Sequence, residues 1–368
     1  MARPLPEASF LVPCFNDAAT VIDSIESLLK VLGPDADIVV IDDASTDESV
    51  ALLEVHAGRM PYRLLRNDSN QGKSWTLDHA YRLARHDILV FVDADVTVDA
   101  PALRDVLERL RDPRVGAVSC PYVPRNTGII PLMLHVEYNM LSLVQGAYNL
   151  ASAMSLWGGF LAVKRAAFEQ AGGFSLDAIT EDMDLAFKLN RCGWKVEQSF
   201  VPVRTIVPET LGAWFRQKLR WYQGGLQASL RHWRVWITNP IHLLFMSSMA
   251  TFIALSIVSL GQQVATLQNV VDYLGLLGET LSLLASLKAV GLVYGATLLK
   301  DALWGLAFTL VCIPYVLPMI TSLRKAHLAL LVAPFAMVYM PASLVVLVCA
   351  AAVLAVHARH LRPGVRAW

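Results

Sequence analysis

The stretch Ile88–Asp95 reads Ile-Leu-Val-Phe-Val-Asp-Ala-Asp, which is five apolar residues followed by two carboxylates spaced by one residue. A short apolar run of this kind is typical of a strand that is buried on both faces, as in a parallel sheet. Similar runs precede it at Ser9–Val12, Asp37–Ile41 and Tyr62–Leu65, with helical patterns between them. This alternation predicts an α/β domain around a mostly parallel, Rossmann-like sheet.

The helices of this domain are marked by residues that favour helix N-termini. The predicted ranges are Asn16 or Asp17 to Leu32, Glu48–Ala57, Ser74–Ala84, and a helix that Asp99 caps and Pro101 opens. Ligands of open α/β sheets bind beyond the carboxyl ends of the strands. We therefore expect a functional site in the loops that follow Ile41 and Val92.

The composition divides the chain into two parts. Its residues are 55% hydrophobic and 17% charged, with a mean hydropathy of +0.46, which is too apolar for one water-soluble body. We predict a cytosolic α/β domain at 1–235, ending in an interfacial amphipathic helix, and an α-helical transmembrane domain at 236–368. The net charge of zero argues against nucleic acid as a partner. The five cysteines form no CxxC pair, so a zinc site is not expected.

The second part contains apolar stretches long enough to cross a bilayer. We predict spans at 241–260 and 301–320, a kinked span or hairpin at 327–356, and a segment at 281–299 that crosses or lies in the interface. The charged residues of the loop 262–280 are all acidic, whereas the C-terminal tail has arginines. The positive-inside rule then places that loop outside and that tail in the cytosol, which favours an even number of crossings. We predict a multi-pass protein of the plasma (inner) membrane with three to five crossings and the α/β domain in the cytosol.

Asp93 and Asp95 form the strongest local motif. Carboxylates at positions i and i+2 can converge where a strand breaks into a loop, and they are hard oxygen ligands for Mg²⁺ or Mn²⁺ bound to phosphates. The alternative is a solvated turn after the strand.

Two further motifs are suited to a nucleoside diphosphate. Asp42 and Asp43 end the second strand, where a carboxylate can accept hydrogen bonds from a base or a ribose, and the alternative is that this segment caps the next helix. The glycine turn before Lys73 is suited to a diphosphate at a helix N-terminus, although such turns are also common on surfaces.

Two helical motifs carry the remaining candidates. Glu181 or Asp182 can act as a general base, unless Thr180 caps the helix and the acids complement its dipole. Gln217, Arg220 and Trp221 lie at i, i+3 and i+4 and share one helix face. There an arginine can neutralise a diphosphate and an indole can stack on a sugar, or both can be interfacial anchors.

The order of these motifs resembles family 2 glycosyltransferases, above all the processive membrane synthases of cellulose, chitin, hyaluronan and poly-N-acetylglucosamine. The resemblance spans about residues 8–225. It is carried by Val12-Pro13-Cys14-Phe15-Asn16, Asp42-Asp43-Ala44-Ser45-Thr46-Asp47, Asn70-Gln71-Gly72-Lys73, Asp93-Ala94-Asp95, Thr180-Glu181-Asp182 and Gln217-Lys218-Leu219-Arg220-Trp221.

The resemblance implies an inverting, metal-dependent GT-A enzyme that uses a UDP-sugar. In it, Asp182 is the catalytic base beside Glu181, and Asp93 and Asp95 bind the diphosphate through Mg²⁺ or Mn²⁺. The implied donor-binding residues are Pro13, Phe15, Asn16, Asp42, Asp43, Lys73, Asp93, Asp95, Gln217 and Arg220. The implied acceptor-binding residues are Trp157, Gly158 and Trp221.

The function implied is transfer from a UDP-sugar, with UDP-N-acetylglucosamine as one candidate, to a growing β-linked polysaccharide that the membrane helices translocate. The alternative is transfer of one or a few sugars to a ceramide, diacylglycerol or polyprenyl lipid. The expected partners are the donor, the polysaccharide or lipid acceptor and membrane lipids, with room for a companion membrane subunit.

Overall fold

The structure is a computed structural model. It describes residues 5–150, 152–238 and 339–357, together with isolated residues between 243 and 295. The predicted spans at 241–260, 281–299 and 301–320 lie outside the continuously described residues, and so does the first part of the span at 327–356.

The predicted α/β architecture with a mostly parallel sheet is confirmed. Seven strands pair in the order β3-β2-β1-β4-β7-β5-β8, and β6 and β9 form a separate parallel pair. In the large sheet only β7 runs antiparallel to its neighbours. The strands are β1 (Ala8–Cys14), β2 (Asp37–Asp42), β3 (Arg63–Arg66), β4 (Ile88–Val92), β5 (Val115–Ser119), β6 (Tyr122–Pro124), β7 (Phe160–Lys164), β8 (Lys195–Gln198) and β9 (Val203–Thr205).

Helices follow most of these strands. Those in the first 238 residues are α1 (Val21–Leu32), α2 (Ser49–Ala57), α3 (Lys73–Ala80), α4 (Ala100–Arg109), α5 (Ile129–Ala147), α6 (Arg165–Gln170), α7 (Glu181–Arg191), α8 (Leu211–Arg231) and α9 (Trp233–Thr238). Short 3-10 turns follow α3 and α5.

Alternate strand residues build the core on one face of the sheet. Val12, Val40 and Val90 pack in one buried cluster with the apolar faces of α1 and α4. Because both faces of β2 and β4 are buried, their sequences read as continuous apolar runs rather than alternating ones. The predicted N-cap of α4 is confirmed, since the Asp99 carboxylate accepts a hydrogen bond from the amide of Ala102 at 3.1 Å.

The first helix begins later than its pattern predicts. Helix α1 starts at Val21, and Asn16 has a φ of 58°, in the left-handed region. The Asn16 side chain accepts hydrogen bonds from the amides of Thr46 (2.8 Å) and Asp47 (3.3 Å). Asn16 therefore joins the loop after β1 to the loop after β2 instead of capping a helix.

The chain divides into two compact units, and the first boundary between them along the sequence falls after Thr238. The first unit contains the sheet. A further helix, α10 (Met340–His357), covers the second part of the predicted span at 327–356. Among the residues that the structure describes, no helix meets the length and hydropathy needed to cross a membrane.

Candidate active site

Asp93 and Asp95 lie directly beyond β4, in the turn that the sequence motif predicts. The Asp93 amide donates to the carbonyl of Gly159 at 2.9 Å, which joins this turn to the segment before β7. The Asp95 carboxylate accepts from the Thr205 hydroxyl at 3.0 Å. Burial, followed by the charge of Asp93, raises the pKa of Asp95 to about 7. Negative charge is therefore crowded at this end of the sheet.

Lys73 links two of the predicted motifs. Its ammonium lies 2.6 Å from the Asp93 carboxylate and 3.1 Å from that of Glu181. Burial alone would lower the pKa of Lys73, but the two carboxylates outweigh it and raise the pKa above its ordinary value. Lys73 is thus a charged ammonium at the centre of the site, held where α3 begins, between the loop after β4 and the start of α7.

The predicted base Asp182 lies in the first turn of α7. The Met183 amide donates to its carboxylate at 2.7 Å. Burial, and then the neighbouring charge of Glu181, raise the pKa of Asp182 to about 7. Burial would raise the pKa of Glu181 too, but the Lys73 ammonium lowers it. The two adjacent carboxylates therefore differ in basicity, and Asp182 is the one suited to accept a proton near neutral pH.

At Gly158 the predicted acceptor segment approaches the predicted base Asp182. A Cβ atom at this position would lie 2.7 Å from the Asp182 carboxylate oxygen Oδ2, which is closer than side chains approach one another. The side chain of Thr180 makes no capping hydrogen bond to α7. Of the alternative reading, the Thr180 side-chain cap is therefore not found, whereas Glu181 and Asp182 do lie in the first turn, where they complement the helix dipole.

Asp42 and Asp43 are buried and hydrogen-bonded within the protein. The Asp43 carboxylate accepts from the amides of Gln71 (2.9 Å) and Gly72 (2.8 Å) and from the Asn67 side chain (2.6 Å). The Asp42 carboxylate accepts from the Ser45 amide at 3.2 Å. The two carboxylates thus shape the glycine turn before Lys73 and the loop after β2, and neither Ser45 nor Thr46 caps α2.

The first motif places a further carboxylate at the site. Pro13 is buried in β1, and the Phe15 amide donates to Asp17 at 3.1 Å. Burial is the main cause that raises the pKa of Asp17 to about 6, and the charges of Asp93 and Asp47 add to it. Sequence reasoning treated Asp17 only as a candidate helix cap. The signal that could have identified Asp17 as a site residue is its position directly after the Val12–Asn16 motif.

Helix α8 lies against the start of α7. A Cβ atom at Gly224 would lie 2.4 Å from the Thr180 side chain, so the two helices approach closely. Arg220 is exposed and makes no ion pair within the described part of the chain, and its charge contributes to the lowered pKa of Glu181. The half-buried Gln217 has a side-chain oxygen with no partner among the described residues.

Four aromatic rings form a wall beside the base. The Trp157 ring contacts Tyr122 and Tyr138 edge-on, with centroids 4.7 and 5.5 Å apart, and Tyr138 lies 6.2 Å from Trp221. The Tyr122 hydroxyl accepts a hydrogen bond from the Gly159 amide. Sequence analysis predicted Trp157 and Trp221 here, but it missed the two tyrosines, because neither belongs to a recognisable motif.

A comparison with protein families supports what these motifs indicate. The family described as glycosyl transferase family 2 matches residues 9–172. Residues 9–172 therefore belong to glycosyltransferase family 2.

Curated relatives are similar over much of the chain. The poly-beta-1,6-N-acetyl-D-glucosamine synthase of Staphylococcus epidermidis is 28% identical over 228 residues, which cover 61% of this chain and 55% of the relative. The synthase of that name from Staphylococcus aureus strain COL matches to the same extent. The chain therefore aligns with about half the length of these family 2 relatives.

A solved structure shares the fold. A mannosyltransferase from Pyrobaculum calidifontis, solved in complex with GDP-Man and Mn²⁺, matches with a TM-score of 0.55 and 22% sequence identity. The match covers 78% of this chain and 87% of that one. The family 2 domain described above therefore has the GT-A, Rossmann-like fold.

Proposed function

We propose that this family 2 glycosyltransferase transfers a sugar, with inversion, from a UDP-sugar to the end of a growing β-linked polysaccharide. The observation that carries the proposal is the contact of the base Asp182 with Gly158, beside the Lys73 ammonium that joins Asp93 to Glu181. UDP-N-acetylglucosamine is the candidate donor, because the curated relatives are named as synthases of an N-acetylglucosamine polymer.

The reaction is a single displacement. Asp182 removes the proton of the acceptor hydroxyl while that oxygen forms a bond to the anomeric carbon. The bond between this carbon and the diphosphate oxygen breaks, and UDP leaves with the electron pair. Attack opposite the leaving group inverts the anomeric centre. Lys73 and Arg220 offset the charge that develops on the leaving diphosphate.

Asp93 and Asp95 would hold Mg²⁺ or Mn²⁺. Carboxylates are the ligands that these cations favour, and the pKa of Asp95, raised to about 7 by burial and by Asp93, marks excess negative charge. The described residues contain no group of three or more potential ligands, so diphosphate oxygens would complete the coordination. The bound cation would neutralise the diphosphate. The related fold from Pyrobaculum calidifontis was solved with Mn²⁺.

The remaining residues are proposed to shape the two substrates. Trp157, Gly158 and Trp221 would line the acceptor. Donor binding is assigned to the loops after β1 and β2 and to the exposed face of α8. Its proposed residues are Pro13, Phe15, Asn16, Asp42, Asp43, Gln217 and Arg220.

We further propose that the α/β domain faces the cytosol at the plasma (inner) membrane. The apolar composition of the C-terminal part supports a membrane location. In this scheme the C-terminal helices translocate the product, with or without a companion subunit.

The test is a transfer assay with the full chain purified into lipid. Radiolabelled UDP-sugars are supplied with Mn²⁺, and products are separated on a gel and by lipid extraction. We expect high-mass material from UDP-N-acetylglucosamine that a matching glycoside hydrolase degrades. If the label is recovered only in the lipid extract, the product is a glycolipid and not a polysaccharide. Absence of transfer from every donor would refute the proposal.

A further inference from the structure

A buried ion pair lies next to the residues assigned to the acceptor. Lys218 of α8 pairs with Glu137 of α5, and their side chains are 1% and 13% exposed. Lys218 belongs to the motif Gln217-Lys218-Leu219-Arg220-Trp221 and lies three residues before Trp221, but it is assigned to neither substrate in the proposed mechanism. Its role is therefore not explained by the residues of the proposed mechanism.

The ammonium of Lys218 is also set against the aromatic wall. It lies 4.5 Å from the centroid of the Trp221 ring and 5.7 Å from that of Tyr138. A cation at this distance from an indole, shielded from water, attracts the ring and favours one orientation of it. Burial lowers the pKa of Lys218, and the charge of Glu137 opposes that effect.

Trp221 is placed by two helices. On one side α8 meets the start of α7, where Gly224 approaches Thr180. On the other side the Lys218–Glu137 pair joins α8 to α5. Small rotations of α8 would move the indole relative to Asp182. The ion pair opposes them three residues from Trp221, whereas the polar contacts of Gln227 and Arg231 lie farther along α8.

A purely stabilising role does not account for this pair. Taking two charges out of water costs free energy that the pairing only partly offsets, and apolar replacements of similar volume are often equally stable. A buried pair does, however, permit few arrangements of the two helices. The main effect of this pair is therefore to fix the position of α8 relative to α5.

We propose that Lys218 and Glu137 are positioning residues that hold the Trp221 indole in place for the acceptor sugar. The inference rests on the proposed function, because it assigns Trp221 to the acceptor. It implies that loss of the pair weakens acceptor binding while donor binding stays intact.

The experiment compares two double variants of the full chain. Lys218→Met with Glu137→Gln removes the buried pair and nearly keeps its volume. Lys195→Met with Glu197→Gln removes a partly buried pair, 2.5 Å apart, from β8 as the control. The acceptor probe is a short β-linked N-acetylglucosamine oligosaccharide and the donor is UDP-N-acetylglucosamine. We expect the first variant to raise the acceptor KM about tenfold, which is the size of effect that loss of a buried cation–π contact produces, with the donor KM unchanged within about twofold. Equal acceptor KM values for both variants would overturn the inference, and so would an equal rise in donor KM.

A spectroscopic readout does not depend on turnover. In 5-fluorotryptophan-labelled protein, the Trp221 resonance is identified as the one missing from Trp221→Phe. We expect this resonance to broaden or split in the first variant and to stay sharp in the control, because an indole that has lost the ion pair samples several positions. A single sharp line in both would contradict the inference. If the wild-type protein is inactive, but its Trp221 line is sharp and broadens only in the first variant, the transferase proposal is refuted and the positioning of Trp221 is not.

Glu137→Asp covers the case in which the double variant does not fold. It keeps both charges and shortens the link by one methylene, so the pair must shift. We expect it to raise the acceptor KM about threefold, consistent with a weakened cation–π contact, and an unchanged KM would count against positioning.

Discussion

At the scale of single residues, the carboxylate of Asp182 is the group on which the proposed transfer depends most. Asp182→Asn keeps the shape of the side chain but cannot accept the hydroxyl proton. We expect kcat to fall by about 10²–10⁴-fold, which is the usual contribution of a general base. Calorimetry should show UDP binding within about twofold of wild type, since its Kd does not depend on proton transfer. Near-normal turnover would remove Asp182 from the mechanism.

A matched control for that variant is Asp35→Asn. Asp35 is an exposed carboxylate in the loop before β2, at the opposite end of that strand from Asp42 and Asp43. Its removal should leave both kcat and the unfolding temperature unchanged.

The pH dependence of transfer follows from the same carboxylate. Burial and the charge of Glu181 raise the pKa of Asp182 to about 7, so the base is protonated and inactive below that pH. We expect kcat/KM to fall about tenfold per pH unit on the acidic side of pH 7. Glu181→Gln removes the repelling charge and should move this acidic limb to lower pH. A limb that stays in place would show that another group controls it.

The residues predicted from sequence share a local signal. Asp93, Asp95 and Asp182 stand at the end of a strand or the start of a helix, and such positions can be read from the pattern of neighbouring residues. Lys73 was predicted as a donor-binding residue, but its contacts with Asp93 and Glu181 span 20 and 108 positions. No local pattern encodes such distant pairs.

At the scale of elements, the packing of α8 on α7 depends on a glycine. A Cβ atom at Gly224 would lie 2.4 Å from the side chain of Thr180, whereas one at Gly225 would meet only the Met183 sulfur at 3.6 Å. Gly224→Ala should push the helices apart and lower the free energy of unfolding by about 1–3 kcal/mol, with loss of transfer. Gly225→Ala should raise it by up to about 1 kcal/mol, because alanine favours helices. Thermal unfolding of the two variants, monitored by circular dichroism, provides the comparison, and equal effects would contradict this account.

A second contact joins α7 to the end of α8 through a buried carboxylate. Asp184 accepts from His232 at 2.8 Å and from the Ser175 hydroxyl at 2.5 Å. Burial would raise the pKa of Asp184, but these hydrogen bonds, the His232 bond foremost, lower it below its ordinary value. The stabilisation is therefore present above that ordinary value and is lost as the pH falls below it.

Asp184→Asn tests this contact. We expect it to lower the free energy of unfolding by about 3–5 kcal/mol, because it breaks a buried ionic network. Asp177→Asn, which removes the more exposed partner of Arg231, should cost less than about 1 kcal/mol. Chemical denaturation of both variants at pH 7 measures the difference, and similar midpoints would show that the Asp184 contact contributes little.

The elements that sequence reasoning missed are those whose placement depends on distant partners. The first four strands were predicted because each contains a short run of apolar residues, although Arg63 interrupts the third. Strand β7 was not, although it is inserted antiparallel between β4 and β5 and carries the Gly158–Gly159 segment to the site. The Asp184–His232 contact spans 48 positions, and the histidine has no motif around it.

At the scale of the whole molecule, charge is distributed unevenly. The formal net charge is zero, yet Asp17, Asp93, Asp95, Glu181 and Asp182 crowd one end of the sheet. Lys73 is a partly buried cation among them. Because this excess is concentrated at the site, a bound cation should stabilise the entire folded domain through linkage.

The stabilisation should require the nucleotide and the metal together. The diphosphate supplies the oxygens that Asp93 and Asp95 lack, and the cation removes the repulsion between diphosphate and carboxylates. With UDP and Mn²⁺ each at about 100 times the Kd, the gain of about 2.7 kcal/mol corresponds to a rise of roughly 5–10 °C in Tm. Either ligand alone should give much less, and a chelator should abolish both the rise and transfer. In Asp95→Asn the joint effect should shrink towards that of UDP alone, since the metal loses a ligand. Equal shifts for wild type and Asp95→Asn would place the cation away from the carboxylates that follow β4.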